Sequence, residues 1–308
     1  MKILVIFTGG TIGSRVQNGW ISTDEATKYT LIQNYKETCP NDVVFETAEP
    51  YFLLSENLSA KNINLLISAI DKGLSESYDG IIVTHGTDTL HFSAAAAHLA
   101  FSAVNTPIVF VSANFPLENE KSNGFDNFEG AVALIKSGVK TGVYISYKNP
   151  EGEHFIHSAD KALSFSESLD SIYSMERRPF AIYKDKKITV LEEVSVTPSV
   201  KTVFCEKPKI LTVCSMPEDS FSYNKADYNA VILRPYHSGT LNTENKAFRA
   251  FLEKAENIPV LLVNAPTGTT YDTTRVYKEL GIVPLRSCTF AYAYMKVWAG
   301  ISEKKNLF

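Results

Sequence analysis

Short apolar runs recur through the first half of the chain, at residues 3–7, 43–47, 80–83, 108–111 and 142–145. Runs of this length suit strands buried on both faces of a sheet. Between them, residues 60–72, 90–101 and 127–136 carry helical patterns. This alternation predicts βαβ units and a mostly parallel sheet flanked by helices.

The pattern changes between about residues 182 and 209, a stretch rich in Lys, Glu, Val and Thr that includes Pro198 and Pro208. It has no 3.6-residue period and reads as strands plus a linker. Beyond it, residues 210–213, 229–233 and 259–263 read as strands, and 245–256, 274–280 and 291–299 as helices. The expected organisation is an N-terminal α/β catalytic domain over 1–190, a linker over 191–209 and a smaller C-terminal α/β domain over 210–308. No internal repeat or low-complexity tract is present.

A length of 308 residues suits two domains. Hydrophobic residues at 44% and charged residues at 21% argue against disorder. The net charge of −4 comes without any run of Lys or Arg, which argues against a nucleic-acid partner. No stretch approaches the ~20 apolar residues of a membrane-spanning helix. The apolar run after Lys2 is interrupted by Thr8 and two glycines, too short for a signal-peptide core, so a cytoplasmic location is expected.

Cys39, Cys205, Cys214 and Cys288 are scattered without a C-x-x-C pair, which suits reduced thiols rather than zinc or disulfides. His85, His91, His98, His154, His157 and His237 form no H-E-x-x-H or other ligand spacing, and no metal or organic cofactor is expected.

Ligands of open α/β sheets bind beyond the carboxyl ends of the strands. Two loops there have unusual composition. The first, Thr8-Gly9-Gly10-Thr11-Ile12-Gly13, has paired glycines that permit a sharp turn and close approach to a ligand. It lacks the first glycine of a dinucleotide fingerprint and the G-K-[ST] of a Walker loop. The second, His85-Gly86-Thr87-Asp88-Thr89, leads into the alanine-rich helix. Any one of its last three residues suits a helix N-cap, but a cluster of three exceeds that need. The helix start also offers N–H groups to a carboxylate or an oxyanion.

Together, the TGGTIG and HGTDT loops resemble those of the L-asparaginase and glutaminase-asparaginase family, most like its cytoplasmic type I members. Gly19-Trp20-Ile21-Ser22 resembles that family's mobile loop, and Ser55-Glu56-Asn57-Leu58 its substrate loop. Val231–Tyr236 and Asn245–Phe248 are similar to the second-domain core of the cytoplasmic subtype. The resemblance implies a two-domain α/β fold, a homodimer or homotetramer with sites formed between paired protomers, and L-asparagine as substrate.

It also implies residue roles. Thr11 attacks the side-chain amide carbon to form an acyl-enzyme, and Thr87 helps activate water, linked to Lys161 and through it to Asp88. Lys161 is assigned by its place before the segment 165–172. Asp88 either binds the substrate α-ammonium or orients Lys161. Ser55 meets the α-carboxylate, with the Thr87 region completing that pocket, and Glu56 is a further substrate-binding residue; alternatively Ser55 caps the helix near Ala60. Backbone N–H groups of Gly10, Thr11 and Thr87 are the oxyanion donors. His85 reads as a loop-orienting imidazole rather than a catalyst.

One departure stands out. The relatives hold a tyrosine where this chain has Trp20, and an indole N–H cannot accept a proton. Either Tyr29 replaces that hydroxyl, or the enzyme works without it, or Trp20 only anchors the loop. Rival readings are a binding protein on the same scaffold, a glutaminase, and the amidase component of a tRNA-dependent amidotransferase. A serine hydrolase is disfavoured because no G-x-S-x-G elbow is present.

Overall fold

The computed structural model describes residues 1–24, 27, 29–39, 42–166, 169–254, 257–265 and 270–305. They divide into two compact units, Met1–Phe204 and Cys205–Phe308.

The first unit contains β1 (Lys2–Phe7), β2 (Ser14–Gln17), β3 (Trp20–Thr23), α1 (Thr30–Thr38), β4 (Val44–Ala48), α2 (Ala60–Leu74) and β5 (Gly80–Thr84). These are followed by α3 (Leu90–Phe101), β6 (Ile108–Val111), α4 (Gly124–Lys136), β7 (Val143–Lys148), β8 (His154–Ser158), β9 (Ala181–Lys184) and β10 (Lys187–Val190). The main sheet runs in the order β10-β9-β8-β7-β6-β5-β1-β4. Its strands from β4 to β7 are parallel, and β8 to β10 extend it antiparallel. Strands β2 and β3 form a separate hairpin.

The two-residue period of a strand divides β1 between two cores. Ile3, Val5 and Phe7 join a cluster with Leu31 of α1 and Phe128 of α4, while Leu4 and Ile6 face Leu66 of α2 and Ala94 of α3. Both faces are apolar because both are covered by helices. Alanines 94 to 97 are all buried, and their small side chains fit α3 closely into the apolar layer.

The register explains where a site can form. Phe7 pairs with Thr84 and Thr84 with Val111, so β1, β5 and β6 end level with one another. On its other side β1 pairs with β4. The loops after β4, β1 and β5 therefore emerge side by side.

Residues 191–204 lie along the first unit. The Val200 N–H donates to the Leu99 carbonyl at 2.7 Å, the Ser195 hydroxyl to Asp160 at 2.7 Å, and the Phe204 N–H to the Asn64 side chain at 2.8 Å.

The second unit contains β11 (Ile210–Cys214), β12 (Ala230–Arg234), α5 (Lys246–Glu253), β13 (Val260–Leu262), β14 (Ile282–Pro284) and α6 (Phe290–Glu303). Its four strands form a parallel sheet in that order. Asn245 caps α5, its side-chain oxygen accepting from the N–H groups of Ala247 and Phe248. That helix ends at Glu253, short of the expected 256; residues 255 and 256 lie outside the described ones. The helix expected at 274–280 is instead a 3₁₀ segment, Asp272–Tyr277. There Thr273, Thr274 and Val276 are β-branched, and the Thr274 hydroxyl turns back to the Tyr271 carbonyl at 2.7 Å. No helix among the described residues is long and apolar enough to cross a membrane.

Three histidines of the first unit are held neutral by burial. Desolvation pushes His85 and His154 down to about 4 and His157 down to about 3. Lowered histidine values mean that the unfolded chain takes up protons which the native chain refuses. Their stabilising contribution is therefore present above the unfolded value of about 6.5 and is lost as pH falls toward 4. Acidification across that range should lower the unfolding free energy, by roughly 1.4 kcal/mol per histidine per pH unit where the difference is full. Urea unfolding of the wild type and of His157→Asn at pH 7 and pH 5 checks this. The variant should lose less on acidification.

Candidate active site

Three turns converge at the carboxyl ends of β4, β1 and β5. Residues 11–13, 55–57 and 87–89 each form one turn of 3₁₀ helix. The chain between Phe7 and Thr11 is fixed by its neighbours. The Gly10 N–H donates to the Leu53 carbonyl at 2.9 Å, and the Leu53 N–H to the Thr8 carbonyl at 3.1 Å. Gly10 has φ of +75°, a left-handed conformation that favours glycine. A Cβ there would lie 2.3 Å from both Cα and N of Gly86. The backbones of the two loops are thus in direct contact, with no side chain between them.

Ser55 joins them from the third loop. A Cβ on Gly86 would lie 2.4 Å from Ser55 Oγ, and the Thr89 hydroxyl donates to the Ser55 carbonyl at 2.9 Å. Ser55 is buried and does not cap α2; that task falls to Ser59, which forms a capping box with Asn62. Nor does Thr87, Asp88 or Thr89 cap α3 through its side chain. The polar cluster at that helix start is directed elsewhere.

Surrounding hydroxyls and one imidazole occupy the carbonyls of these loops. Thr8 Oγ1 donates to the Thr84 carbonyl at 2.6 Å, and Ser14 Oγ to the Gly10 carbonyl at 2.8 Å. His85 Nδ1 lies 2.9 Å from the Gly86 carbonyl, a contact that requires the proton on Nδ1. The Gly86–Thr87 peptide is trans, so the Thr87 N–H points away from the atom His85 holds. Thr11 and Thr87 open their 3₁₀ turns, where the first N–H groups have no acceptor within the turn. The Gly10 N–H, in contrast, is spent on Leu53 rather than turned toward a ligand.

Around Thr87 the surface opens into a cleft of about 390 Å³, lined by Thr87, Asp88 and His91 and by Ser164, Phe165 and Asp170 of a later segment. Burial pushes the Asp170 carboxyl above the usual carboxylate range. Thr11 and Thr87 are half-buried, while Asp88 and Glu56 are exposed. Among the described residues the lining contains no lysine.

Lys161 begins the segment that reaches this cleft. Strand β8 runs antiparallel to β7, so Ser158 pairs with Tyr144 at the amino-terminal end of the parallel strands. There Asp160 accepts from Ser158 and Ser195 and stands 3.9 Å from His98. The chain then returns, with the Met175 N–H on the Lys161 carbonyl at 2.9 Å and Phe165 edge-on to Tyr147 at 5.0 Å. Residues 167 and 168 of this segment lie outside the described ones. The structure brings together the loops carrying Thr11, Ser55, Glu56, Thr87 and Asp88. It leaves the Lys161 backbone on the approach to them.

Sequence reasoning passed over Thr8, Ser14 and Thr89, whose hydroxyls fix the loops, and His91 and Asp170, which line the cleft. Only His91 carried a readable signal, standing four residues beyond Thr87. Trp20 opens β3 and is 79% exposed, whereas the Tyr29 ring packs edge-on against Phe7 at 5.8 Å, at the end of β1. Among the described residues no three histidine, cysteine or carboxylate side chains gather as a metal site requires.

Residues 2–195 match the asparaginase N-terminal domain family. The chain belongs to the asparaginase family. Among its relatives are a component of the glutamyl-tRNA(Gln) amidotransferase of Saccharolobus solfataricus, 26% identical, with 67% of this chain and 48% of the relative aligned, and an L-asparaginase of Dirofilaria immitis, 25% identical, with 96% and 56% aligned. The chain thus spans about half the length of these relatives. Solved asparaginase structures share its fold. The thermostable L-asparaginase of Thermococcus kodakarensis superposes with a TM-score of 0.82 at 21% identity, covering 100% of this chain and 94% of its own. A probable cytoplasmic L-asparaginase of Campylobacter jejuni does so at 0.76 and 20%, covering 98% and 95%.

The asparaginase loops of this chain depend on the absence of a Cβ at Gly86, whose φ of −82° any residue adopts. Gly86→Ala should therefore cost stability through contact alone, about 1–3 kcal/mol as for other overpacked sites. Since the nearest obstacle is the Ser55 side chain, Ser55→Gly should recover part of that loss in the double variant. A double-mutant cycle by chemical denaturation checks it; strictly additive losses would show that the loops do not touch in this way.

Proposed function

We propose that this chain is an L-asparaginase-type amidohydrolase that converts L-asparagine to L-aspartate and ammonia. The observation that carries the reading is the backbone contact of the Gly10 and Gly86 loops, which holds Thr11 and Thr87 at the ends of two neighbouring strands. In this reading Thr11 attacks the amide carbon and the acyl-enzyme is hydrolysed by water held near Thr87. The N–H groups of Thr11 and Thr87 meet the oxyanion, Ser55 and the Thr87 region the substrate α-carboxylate, and Asp88 the α-ammonium, with Glu56 a further substrate-binding residue. Lys161 completes the relay when its side chain reaches toward Thr87 from the start of the segment that lines the cleft.

The protein is a cytoplasmic homo-oligomer, dimer or tetramer, in the same reading. Its support is the family membership, together with the likeness to a probable cytoplasmic L-asparaginase. A second reading, the amidase half of a tRNA-dependent amidotransferase, is favoured by the amidotransferase relatives, of which this chain spans about half.

Ammonia release from L-Asn and L-Gln by the purified chain tests the function. We expect kcat/KM to favour L-Asn, and Thr11→Ala to abolish turnover by a factor on the order of 10⁶ with unfolding unchanged. Activity of that variant within tenfold of wild type would remove Thr11 from the mechanism.

In this reading Tyr29, whose ring packs on Phe7 at the end of β1, supplies the hydroxyl that Trp20 lacks. Tyr29→Phe should lower kcat by about 10²-fold, in the range of a lost proton-transfer group. Trp20→Tyr should change kcat little. Steady-state kinetics on L-Asn reads both, and the reverse pattern would return the role to the hairpin.

A further inference from the structure

Apart from His91, each histidine of the first unit has a position away from the cleft. His85 holds the Gly86 carbonyl, His98 stands by Asp160, His154 bonds Ser146 at 2.9 Å, and His157 bonds Ser174 at 2.9 Å. His91 differs. It lies in the first turn of α3, four residues beyond Thr87, and its side chain lines the cleft together with Thr87 and Asp88. The residue is buried, at 6% exposure, and its ring packs against that of Phe92 with centroids 4.5 Å apart and planes tilted by 38°.

Acyl transfer through a threonine needs a proton carrier at this place. In the first half-reaction the Thr11 oxygen bonds the amide carbon, the C–N bond breaks, and the hydroxyl proton leaves on nitrogen as ammonia. In the second, water adds to the acyl carbon, the ester C–O bond breaks, and one water proton must reach the Thr11 oxygen. A neutral imidazole has an acceptor for the first proton movement and, once charged, a donor for the return. No lysine lines the cleft among the described residues, whereas this imidazole does.

We propose that His91 is the proton carrier of the deacylation step, accepting a proton from the water held at Thr87 and returning it through the Thr87 hydroxyl to Thr11. The assignment rests on the amidohydrolase reading above. It gives Thr87 a partner from the first turn of the helix that follows its 3₁₀ turn, beside the contribution of Lys161.

The test uses the full chain with L-Asn as substrate. His91→Ala should lower kcat by about 10²-fold or more with KM little changed, and an acyl-enzyme should accumulate in the intact-protein mass spectrum. Added imidazole should restore kcat to His91→Ala in a saturable manner and do nothing for the wild type. His91→Gln, which keeps polar atoms and bulk, should be as slow while unfolding at the wild-type temperature. Turnover of either variant within threefold of wild type, or a deficit that imidazole leaves unchanged, overturns the assignment. A wild type that releases ammonia from neither L-Asn nor L-Gln fails the parent reading and takes this one with it. An active wild type with an active His91→Ala fails this one alone.

Discussion

Backbone meets backbone where Gly10 crosses Gly86, at a distance no pair of Cβ-bearing residues could share. The candidate site is built outward from that contact. It brings the end of β1 against the end of β5, and Ser55 closes on Gly86 from the β4 side. The contact holds because the carbonyls nearby are already satisfied, by Thr8, Ser14 and His85. Satisfied carbonyls leave the N–H edges of the two 3₁₀ turns as the polar face available to an anion. The parallel sheet beneath has both faces buried, so the strand ends that carry these loops are rigidly placed.

Much of this was legible in the sequence because it follows from periodicity. The strands at β1, β5, β6 and β7 and the helices α2, α3 and α4 appear within a few residues of their expected places, since buried runs and apolar stripes have few alternatives. What escaped lacked that signal. Helix α1 is nine residues long with only Leu31, Ile32 and Tyr35 buried, and the β2–β3 hairpin is largely exposed. At the site, the glycine-rich turns could be recognised, but their mutual contact depends on sheet order, which no local pattern encodes. For the same reason the hydroxyl clamps of Thr8 and Thr89 were invisible, each bonding a residue more than thirty positions away.

Lys161 illustrates how a sequence position differs from a place in space. Its neighbour Asp160 is tied to Ser158, Ser195 and the vicinity of His98, toward the amino-terminal ends of the parallel strands and away from the threonine loops. Only the segment after it travels back to the cleft. A residue named by its place before that segment therefore starts from the segment's distant end. Two carboxyl-bearing residues, Asp88 and Asp170, line the cleft. An ionised carboxyl at this place favours a cationic ligand group.

The three converging loops all come from the first ninety residues, carried by strands that are adjacent in the sheet. Because their spacing is set by main-chain contact, it places almost no demand on the identity of exposed side chains around it. Such a frame can persist while its rim diversifies. Glu56, exposed beside buried Ser55, belongs to that rim, so its identity is free to change, and with it substrate preference, without rebuilding the scaffold.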